Sequence, residues 1–202
     1  MSRPRLIPRV FALLVALAPL AGATGERTAQ ASVSIAVTWD GLLHESSAAV
    51  VATAVESRAV WENGRIYTYT RVHVDRSVAG DVATGGDVWV RTMGGVVGKI
   101  GQIVEGEAVL APSRSSLLFL HSGPIGAFEV TARGQGQFPI VTDAAGAPPK
   151  VVRSHAVGAI VAPKTPTPAT TPVRLAADVL HGRPVDDVAQ DIAAAWSTAH
   201  AR

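Results

Sequence analysis

Alternating apolar and polar residues dominate the middle of the chain and predict β-strands there. Every second residue from Ile66 to Val74 is isoleucine, threonine or valine, and the residues between them are larger or more polar. This period of two places successive side chains on opposite faces of a strand. Residues 48–55 are apolar on both faces, which is typical of a strand buried on both sides. Because Asn63-Gly64 lies between the two runs and both residues tolerate a positive φ, we predict a hairpin with a type I′ turn.

Shorter runs predict further strands. Residues 127–133 alternate with Phe128 and Val130 on the inward phase, and residues 137–141 are predicted to be their hairpin partner across a Gly-Gln-Gly turn. Glycines isolated in strand-like sequence indicate bulges or sharp bends, which a small barrel needs at its corners. The remaining strands are predicted at 32–37, 87–92 and 116–120, with a glycine-spaced segment at 94–101.

Two helices are predicted, one before the long hairpin and one near the C-terminus. Thr38 is placed as the N-cap of a short helix that begins at Trp39. Apolar residues recur at helical spacing from Val185 to Trp196, after Arg183-Pro184. An apolar stripe of this kind has to pack against another surface, and both its own chain and a partner protein are candidates.

These elements together predict a mainly β fold. We expect a small OB-like β-barrel, or a sandwich, of six to eight short strands with a short N-terminal helix and a C-terminal helix. Prolines that alternate with threonine and alanine indicate an extended linker between the strands and the last helix. We divide the chain into a signal peptide (1–31), a β-barrel domain (32–155), a Pro/Thr/Ala-rich linker (156–172) and a C-terminal helical segment (173–202).

The first residues have the organisation of a secretory signal peptide. Three arginines precede an apolar run from Val10 to Leu20, which is shorter than the roughly 20 residues that span a bilayer. Small residues offer cleavage after Ala31 or after Ala23, and an uncleaved membrane anchor is the alternative interpretation. We therefore predict an exported protein, periplasmic or secreted, with no membrane span after leader removal.

Removal of this leader changes the charge balance. Four of the 18 Lys and Arg residues and one of the 16 Asp and Glu residues precede Ser32, so the remainder carries 14 positive and 15 negative side chains. The basic pI of about 9.4 therefore belongs to the leader. Because no basic residues cluster elsewhere, we predict no nucleic-acid partner. The lack of cysteine excludes disulfides, thiolate nucleophiles and cysteine zinc sites.

No motif of a common catalytic or cofactor site is present. Gly94–Lys99 is one residue too short for a phosphate-binding loop, and Ile100 stands where that loop needs a hydroxyl. The six histidines show neither HxH nor HExxH spacing, and neither GxSxG nor SxxK marks a nucleophilic serine. We therefore predict no cofactor, no metal and no catalytic residue, with a site that the fold assembles from distant residues as the alternative.

A recognition surface is the remaining candidate site. Tyr67, Tyr69 and Arg71 share one face of a predicted strand, and Trp89 and Arg91 occupy the equivalent phase of another. If the two strands are neighbours, these residues form a patch of aromatic and arginine side chains, which are enriched at binding hot spots. The alternative is that the C-terminal helix or a loop covers them.

A string of short motifs resembles a group of exported bacterial proteins of unknown function. The likeness covers residues 32–155 and implies no activity. It is carried by Glu45–Ser47 with Val50-Val51, Trp61 with Asn63–Thr68, Val88–Arg91, Gly94–Gly98, Leu117–Leu120 and Gln135–Phe138.

The order of elements is also similar to the netrin-like modules of tissue metalloprotease inhibitors. The shared features are a helix, a Val-Val strand, a long hairpin, the glycine at Gly80 and the buried strand Leu117–Leu120. This resemblance implies a five-stranded OB-type barrel with a flanking helix. Those inhibitors chelate the protease zinc through an N-terminal cysteine, which this chain lacks, so their mechanism does not transfer.

The function expected from these observations is that of an exported, non-catalytic binding or interaction module. Its partner is unknown, with an extracytoplasmic protein as the candidate. Two alternatives from other classes stay open: a secreted hydrolase with a fold-assembled site, and a protease inhibitor that works by occluding a surface.

Overall fold

A computed structural model describes residues 33–163 and 173–201 of the chain. The predicted signal peptide and the section 164–172 of the predicted linker lie outside the described residues. The mainly β class is confirmed, with 44% strand against 23% helix. None of the described helices is long and apolar enough to cross a membrane.

The strands are β1 (Val33–Ile35), β2 (Ala48–Glu62), β3 (Arg65–Gly80), β4 (Asp87–Met93), β5 (Gly95–Val97), β6 (Ile100–Gln102), β7 (Ser115–Ser122), β8 (Phe128–Val130), β9 (Gln137–Val141), β10 (Lys150–Val151) and β11 (Ala159–Val161). The α-helices are α1 (Trp39–Glu45), α2 (Ala176–Leu180) and α3 (Val185–Ala199). Short 3-10 turns occupy Pro124–Gly126, Arg133–Gly136 and His155–Val157.

Seven of these strands form one sheet in the order β10-β9-β7-β2-β3-β4-β8. β8 pairs in parallel with β4 and also pairs antiparallel with β7. The other pairs in this sheet are antiparallel. Two small sheets accompany it, the parallel pair β1–β11 and the antiparallel pair β5–β6. Strand β11 lies within residues 156–172, the segment that sequence analysis predicts to be a linker.

The long hairpin predicted around Asn63-Gly64 is confirmed. The two turn residues have φ of 48° and 78°, as a type I′ turn requires, and β2 and β3 pair antiparallel on either side. The strands have 15 and 16 residues and are longer than the sequence pattern predicts. Register shifts interrupt the β2–β3 pairing at three points in the first half of β2. Such bulges bend and twist a strand, so a long hairpin can curl over a core.

Consecutive residues of β7 fill two separate cores. Leu117 and Phe119 pack with α1, α3 and Phe138 on one face, where Phe119 meets Trp39 edge to face with ring centroids 6.5 Å apart. Leu118 and Leu120 point the other way, into a core of mostly valine and alanine side chains. A strand buried on both faces reads as a continuous apolar run, which is why residues 116–120 lack alternation.

Both predicted helices begin where the sequence indicates. The Thr38 hydroxyl accepts a hydrogen bond from the backbone N–H of Gly41 at 3.0 Å and caps α1. The α3 helix begins directly after Pro184 and buries Val188 and Ile192 in the core beneath it. The apolar stripe of the C-terminal helix therefore packs on its own chain.

The predicted pairing of residues 137–141 with 127–133 is wrong. Strand β9 pairs with β7 instead, at Ser116–Leu118, while β8 pairs with the other end of the same β7 edge. The cause is the connection, a 3-10 turn at Arg133–Gly136 entered through Ala132 with φ of 53°. This turn displaces the chain along β7 and prevents a return beside β8.

Candidate functional site

The five residues of the predicted surface patch come together on β3 and β4. Tyr69 lies opposite Arg91 and Arg71 lies opposite Trp89 in the antiparallel register. The guanidinium carbon of Arg91 is 3.4 Å from the ring centroid of Tyr67, which is cation–π geometry. The two strands are neighbours, as the patch requires.

Half of this patch is closed off by its own hydrogen bonds. The Tyr69 hydroxyl donates to Glu62 Oε1 at 2.6 Å, and Arg91 donates to Glu62 Oε2 at 2.9 Å and to Glu129 Oε1 at 2.5 Å. Tyr69 is 9% exposed, and the Arg91 side chain is 12% exposed. The Arg91 guanidinium therefore binds two carboxylates and an aromatic ring, while its buried Nε has no hydrogen-bond partner among the described residues.

The shifts in pKa of Tyr69, Glu62 and Arg91 agree with this network of hydrogen bonds. Burial and the hydrogen bond to Glu62 raise the pKa of Tyr69. The hydroxyl of Tyr69 and the guanidinium of Arg91 lower the pKa of Glu62 against the opposing effect of burial. Burial disfavours the charge on Arg91, but its hydrogen bonds to the two glutamates outweigh burial and raise the pKa. The network therefore favours the charged forms of Glu62 and Arg91, and it links β2, β3, β4 and β8.

The other half of the patch is more accessible. Arg71 Nε donates to Glu56 at 2.8 Å, and Arg71 also pairs with Asp87. Trp89 is half-buried and lies under Arg58, whose guanidinium carbon is 5.1 Å from the indole ring. The hydrogen bonds from His73 and Arg71 lower the pKa of Asp87. Trp89 and Arg58 border a cleft of about 360 Å³ that reaches Ile125 in the turn after β7.

A larger cleft lies elsewhere, where sequence analysis predicts only glycine bends. It has a volume of about 470 Å³, which is within the range of small-ligand sites. Threonines of β3 and β4 line it together with residues of the β5–β6 hairpin and of the segment that follows, up to Leu110. Its lining includes Thr68, Thr70, Thr92, Met93, Val96, Ile103, Val104, Glu107, Ala108, Val109 and Leu110.

Hydrogen bonds to β3 hold the hairpin of this cleft in place. Thr68 Oγ1 donates to the carbonyl of Gly94 at 2.7 Å, and the side-chain oxygen of Gln102 accepts from the N–H of Ile66 at 2.8 Å. Gly95 has φ of 134°, and a Cβ there would lie 2.4 Å from Thr68 Oγ1. Only glycine permits this close approach. The glycine spacing therefore indicates the cleft only when the position of β3 next to Gly95 is also known.

The rim of the cleft is apolar and faces solvent. Ile103 is 98% exposed, Val96 67% and Val109 62%. Contiguous exposed apolar side chains beside a groove mark interaction sites in soluble proteins.

The lining of this 470 Å³ cleft is mostly apolar. Among the described residues that line this apolar cleft, Glu107 is the one titratable side chain. Its side chain is 11% exposed and its carboxylate lies 3.9 Å from Arg133 Nε, the outer limit of an ion pair. The adjacent N–H of Ala108 donates to it at 3.3 Å. Burial raises the pKa of Glu107 above that of an ordinary glutamate.

Glu107 also borders a second, polar cleft of about 340 Å³. This cleft contains a second carboxylate, Glu129, which Arg91 binds, and it includes His121 and Arg133 in its lining. His121 Nε2 lies 3.5 Å from Glu129, and His121 Nδ1 lies 3.4 Å from Thr131 Oγ1.

The contacts from Glu129 to His121 and from His121 to Thr131 resemble the acid–base–nucleophile arrangement of a catalytic triad, but Thr131 is not accessible. Thr131 is 2% exposed, and its hydroxyl accepts a hydrogen bond from Ser46 at 2.9 Å. A nucleophile must reach its substrate, so this threonine is structural. Within 33–163 and 173–201, no three His, Asp or Glu side chains are arranged to hold a metal ion.

Comparisons of the chain with protein-family models, curated proteins and solved structures find no match. The candidate site therefore has to be interpreted from its own geometry.

Proposed function

We propose that this chain is an exported, non-catalytic binding module that takes up a polypeptide segment of an extracytoplasmic partner. The binding site is the apolar cleft between β3, β4 and the β5–β6 hairpin. The observation that carries the proposal is the lining of this cleft, which offers apolar and hydroxyl groups and a single carboxylate but no nucleophile–base pair.

An OB-like barrel is the architecture that we propose for the module. Support comes from the cyclic pairing β2–β3–β4–β8–β7–β2, in which β4–β8 is parallel and the other four pairs are antiparallel. A sheet whose last strand pairs with an earlier one has no free edge at that point. The five-stranded OB-fold is a Greek-key barrel of this kind, and its loops and outer face bind ligands.

A polypeptide occupant is favoured by the rim. Ile103, Val96 and Val109 line the cleft but remain more than half exposed, so a ligand confined to the cleft leaves part of their apolar surface in water. An extended peptide can fill the cleft with one side chain and cover the rim with its neighbours.

The segment before Ser32 supports export, because its arginines, short apolar run and small residues fit a signal peptide. Expression of the full chain in a bacterial host tests this part. Mass spectrometry of the extracytoplasmic fraction should find a mature N-terminus after Ala31 or Ala23. Retention of the intact chain in the cytoplasm would contradict export, and its retention in the membrane would indicate an uncleaved anchor.

Selection from a phage-displayed random peptide library tests the binding function. We expect peptides with affinity for the wild-type chain that do not bind Val104→Trp, since the indole fills the cleft. Val141→Trp places the same side chain at a 37% exposed position of β9 outside the cleft and should keep binding. Peptides that bind all three proteins equally would place the site elsewhere.

A secreted hydrolase is the second candidate, favoured by one observation. The polar cleft holds two carboxyl groups: Glu107, whose raised pKa suits a proton donor, and Glu129, which forms an ion pair with Arg91. Acid and carboxylate pairs of this kind cleave glycosidic bonds. Turnover of nitrophenyl glycosides that disappears in Glu107→Gln would establish this candidate, and its absence across the panel would exclude such hydrolysis of these substrates.

A further inference from the structure

We propose that the apolar cleft selects peptide segments in which a lysine or arginine lies between apolar residues, and that Glu107 binds the basic group. This inference rests on the proposed function and adds the chemistry of the ligand to it. It follows from the charge of the cleft, the incomplete pairing of Glu107 and the apolar surroundings.

The charge of the cleft has one source. Among the described residues that line it, Glu107 alone carries a formal charge, and the other side chains are apolar, hydroxyl or amide groups. Arg133 lines the polar cleft, which Glu107 also borders, and it does not line the apolar one. A ligand in the apolar cleft therefore meets a negative group without a competing cation in the same lining.

Glu107 has acceptor capacity that its neighbours leave unused. A carboxylate offers about four lone-pair sites. Its neighbours supply a long hydrogen bond from Ala108 at 3.3 Å, the backbone N–H of Met93, and Arg133 at 3.9 Å, whose side chain is 48% exposed. An ammonium or guanidinium group can approach more closely and form a charge-assisted hydrogen bond.

The apolar walls decide which ligands are tolerated. An occupant that excludes water from the cleft removes solvation from Glu107, and this cost is compensated only if the occupant brings an opposite charge or a strong donor. An apolar side chain lacks that compensation, and an acidic one adds repulsion. The aliphatic stem of a lysine or arginine can lie along Val104 and Leu110 while its charged end reaches the carboxylate.

The same geometry makes binding depend on pH. The groups that act on the Glu107 carboxyl are the guanidinium of Arg133, the carboxylate of Glu129 and the backbone N–H groups of Ala108 and Met93. Burial outweighs the favourable groups, so the carboxyl takes up a proton at a higher pH than an ordinary glutamate. Affinity for a basic peptide should therefore fall as the pH is lowered through this range.

The experiment uses the peptides selected from the phage library against the chain purified from the extracytoplasmic fraction. We expect the consensus to contain a lysine or arginine flanked by apolar residues. The best peptide is then synthesised with this residue replaced by norleucine, and binding is measured by isothermal titration calorimetry. The basic form should bind about 10- to 100-fold more tightly, the effect of one charge-assisted hydrogen bond.

Two variants locate the effect. Glu107→Gln should bind the basic and norleucine peptides with equal affinity and lose the pH dependence. Glu105→Gln removes an exposed carboxylate two positions earlier, outside the cleft lining, and should retain the preference. Circular dichroism of both variants confirms that they are folded.

The outcomes separate this inference from the proposed function. If the library gives no peptide that depends on the open cleft, the proposed function fails and this inference with it. If peptides bind in the cleft but carry no basic residue, or if Glu107→Gln keeps the preference, only this inference is overturned. If n-hexylamine binds as tightly as the peptide, the occupant is a small amine and the polypeptide assignment is wrong.

Discussion

Ile192→Ala tests whether α3 is an integral part of the fold. Ile192 is 0% exposed and packs in the core with α1 and Phe119. The substitution removes three buried carbon atoms, which at about 0.8 kcal/mol each gives about 2.4 kcal/mol of lost transfer free energy. An unfilled cavity adds to this, so we expect a total loss of about 3–4 kcal/mol in the free energy of unfolding.

Urea unfolding followed by circular dichroism measures this loss. With an m-value of about 2 kcal/mol/M, the midpoint should fall by about 1.5–2 M urea without a change in m. Ile35→Ala is the matched control, because it makes the same truncation at a side chain that is 67% exposed. It should cost less than about 0.5 kcal/mol. If both variants lose equally little, α3 does not contribute to the core and the packing described for it is wrong.

Three further predictions concern single positions. Gly136→Ala should destabilise the fold by about 3 kcal/mol, because a Cβ there would lie 2.0 Å from the carbonyl oxygen of Thr131. Gly101→Ala is the control, since a Cβ at that position has no contact under 3.7 Å, and it should be tolerated in the same thermal-melt comparison. Thr38→Ala should cost about 1 kcal/mol in urea unfolding through loss of the α1 cap, and an unchanged midpoint would show that the cap is dispensable. The stability of Glu107→Gln relative to wild type should be higher at pH 7 than at pH 4. Because the pKa of Glu107 is raised in the folded state, protonation of this carboxyl stabilises the folded wild type. That stabilisation is lost as the pH rises from the ordinary glutamate pKa through the raised one. A constant difference between the melting temperatures of the two proteins at both pH values would contradict the last prediction.

The elements that sequence analysis predicts correctly depend on residues close together in the chain. The Asn63-Gly64 turn needs two neighbours that accept positive φ, and the Thr38 cap needs a hydroxyl three residues before the N–H it binds. The apolar stripe of α3 has its period in a single window of sequence. Each of these signals is complete within its own segment, so no knowledge of the rest of the chain is required.

The candidate site is predicted only in part. The strand phase of Tyr69 and Arg91 indicates equivalent faces of two strands, and the structure shows that these strands are neighbours. The phase does not reveal that Glu62, at the end of β2, turns back to bind both of them. Sequence alternation reports the face on which a side chain lies, but not which distant residue shares that face.

The apolar cleft and its carboxylate are the clearest case of dependence on the fold. Glycines at 94–101 indicate bends, and Glu107 is an ordinary glutamate in an irregular stretch of sequence. The hairpin becomes the wall of a cleft because Thr68 and Ile66, on a strand more than twenty residues earlier, hydrogen-bond to it.

The sequence by itself determines the mainly β class, the hairpin turn at Asn63-Gly64 and the starts of α1 and α3, because local backbone preference and hydrophobic period are short-range properties. The tertiary structure alone decides the partner of β9, the closure of the Arg91 network and the burial of Glu107. These features arise from pairings between distant segments, and the register of such pairings depends on bulges, glycine contacts and helix packing acting together.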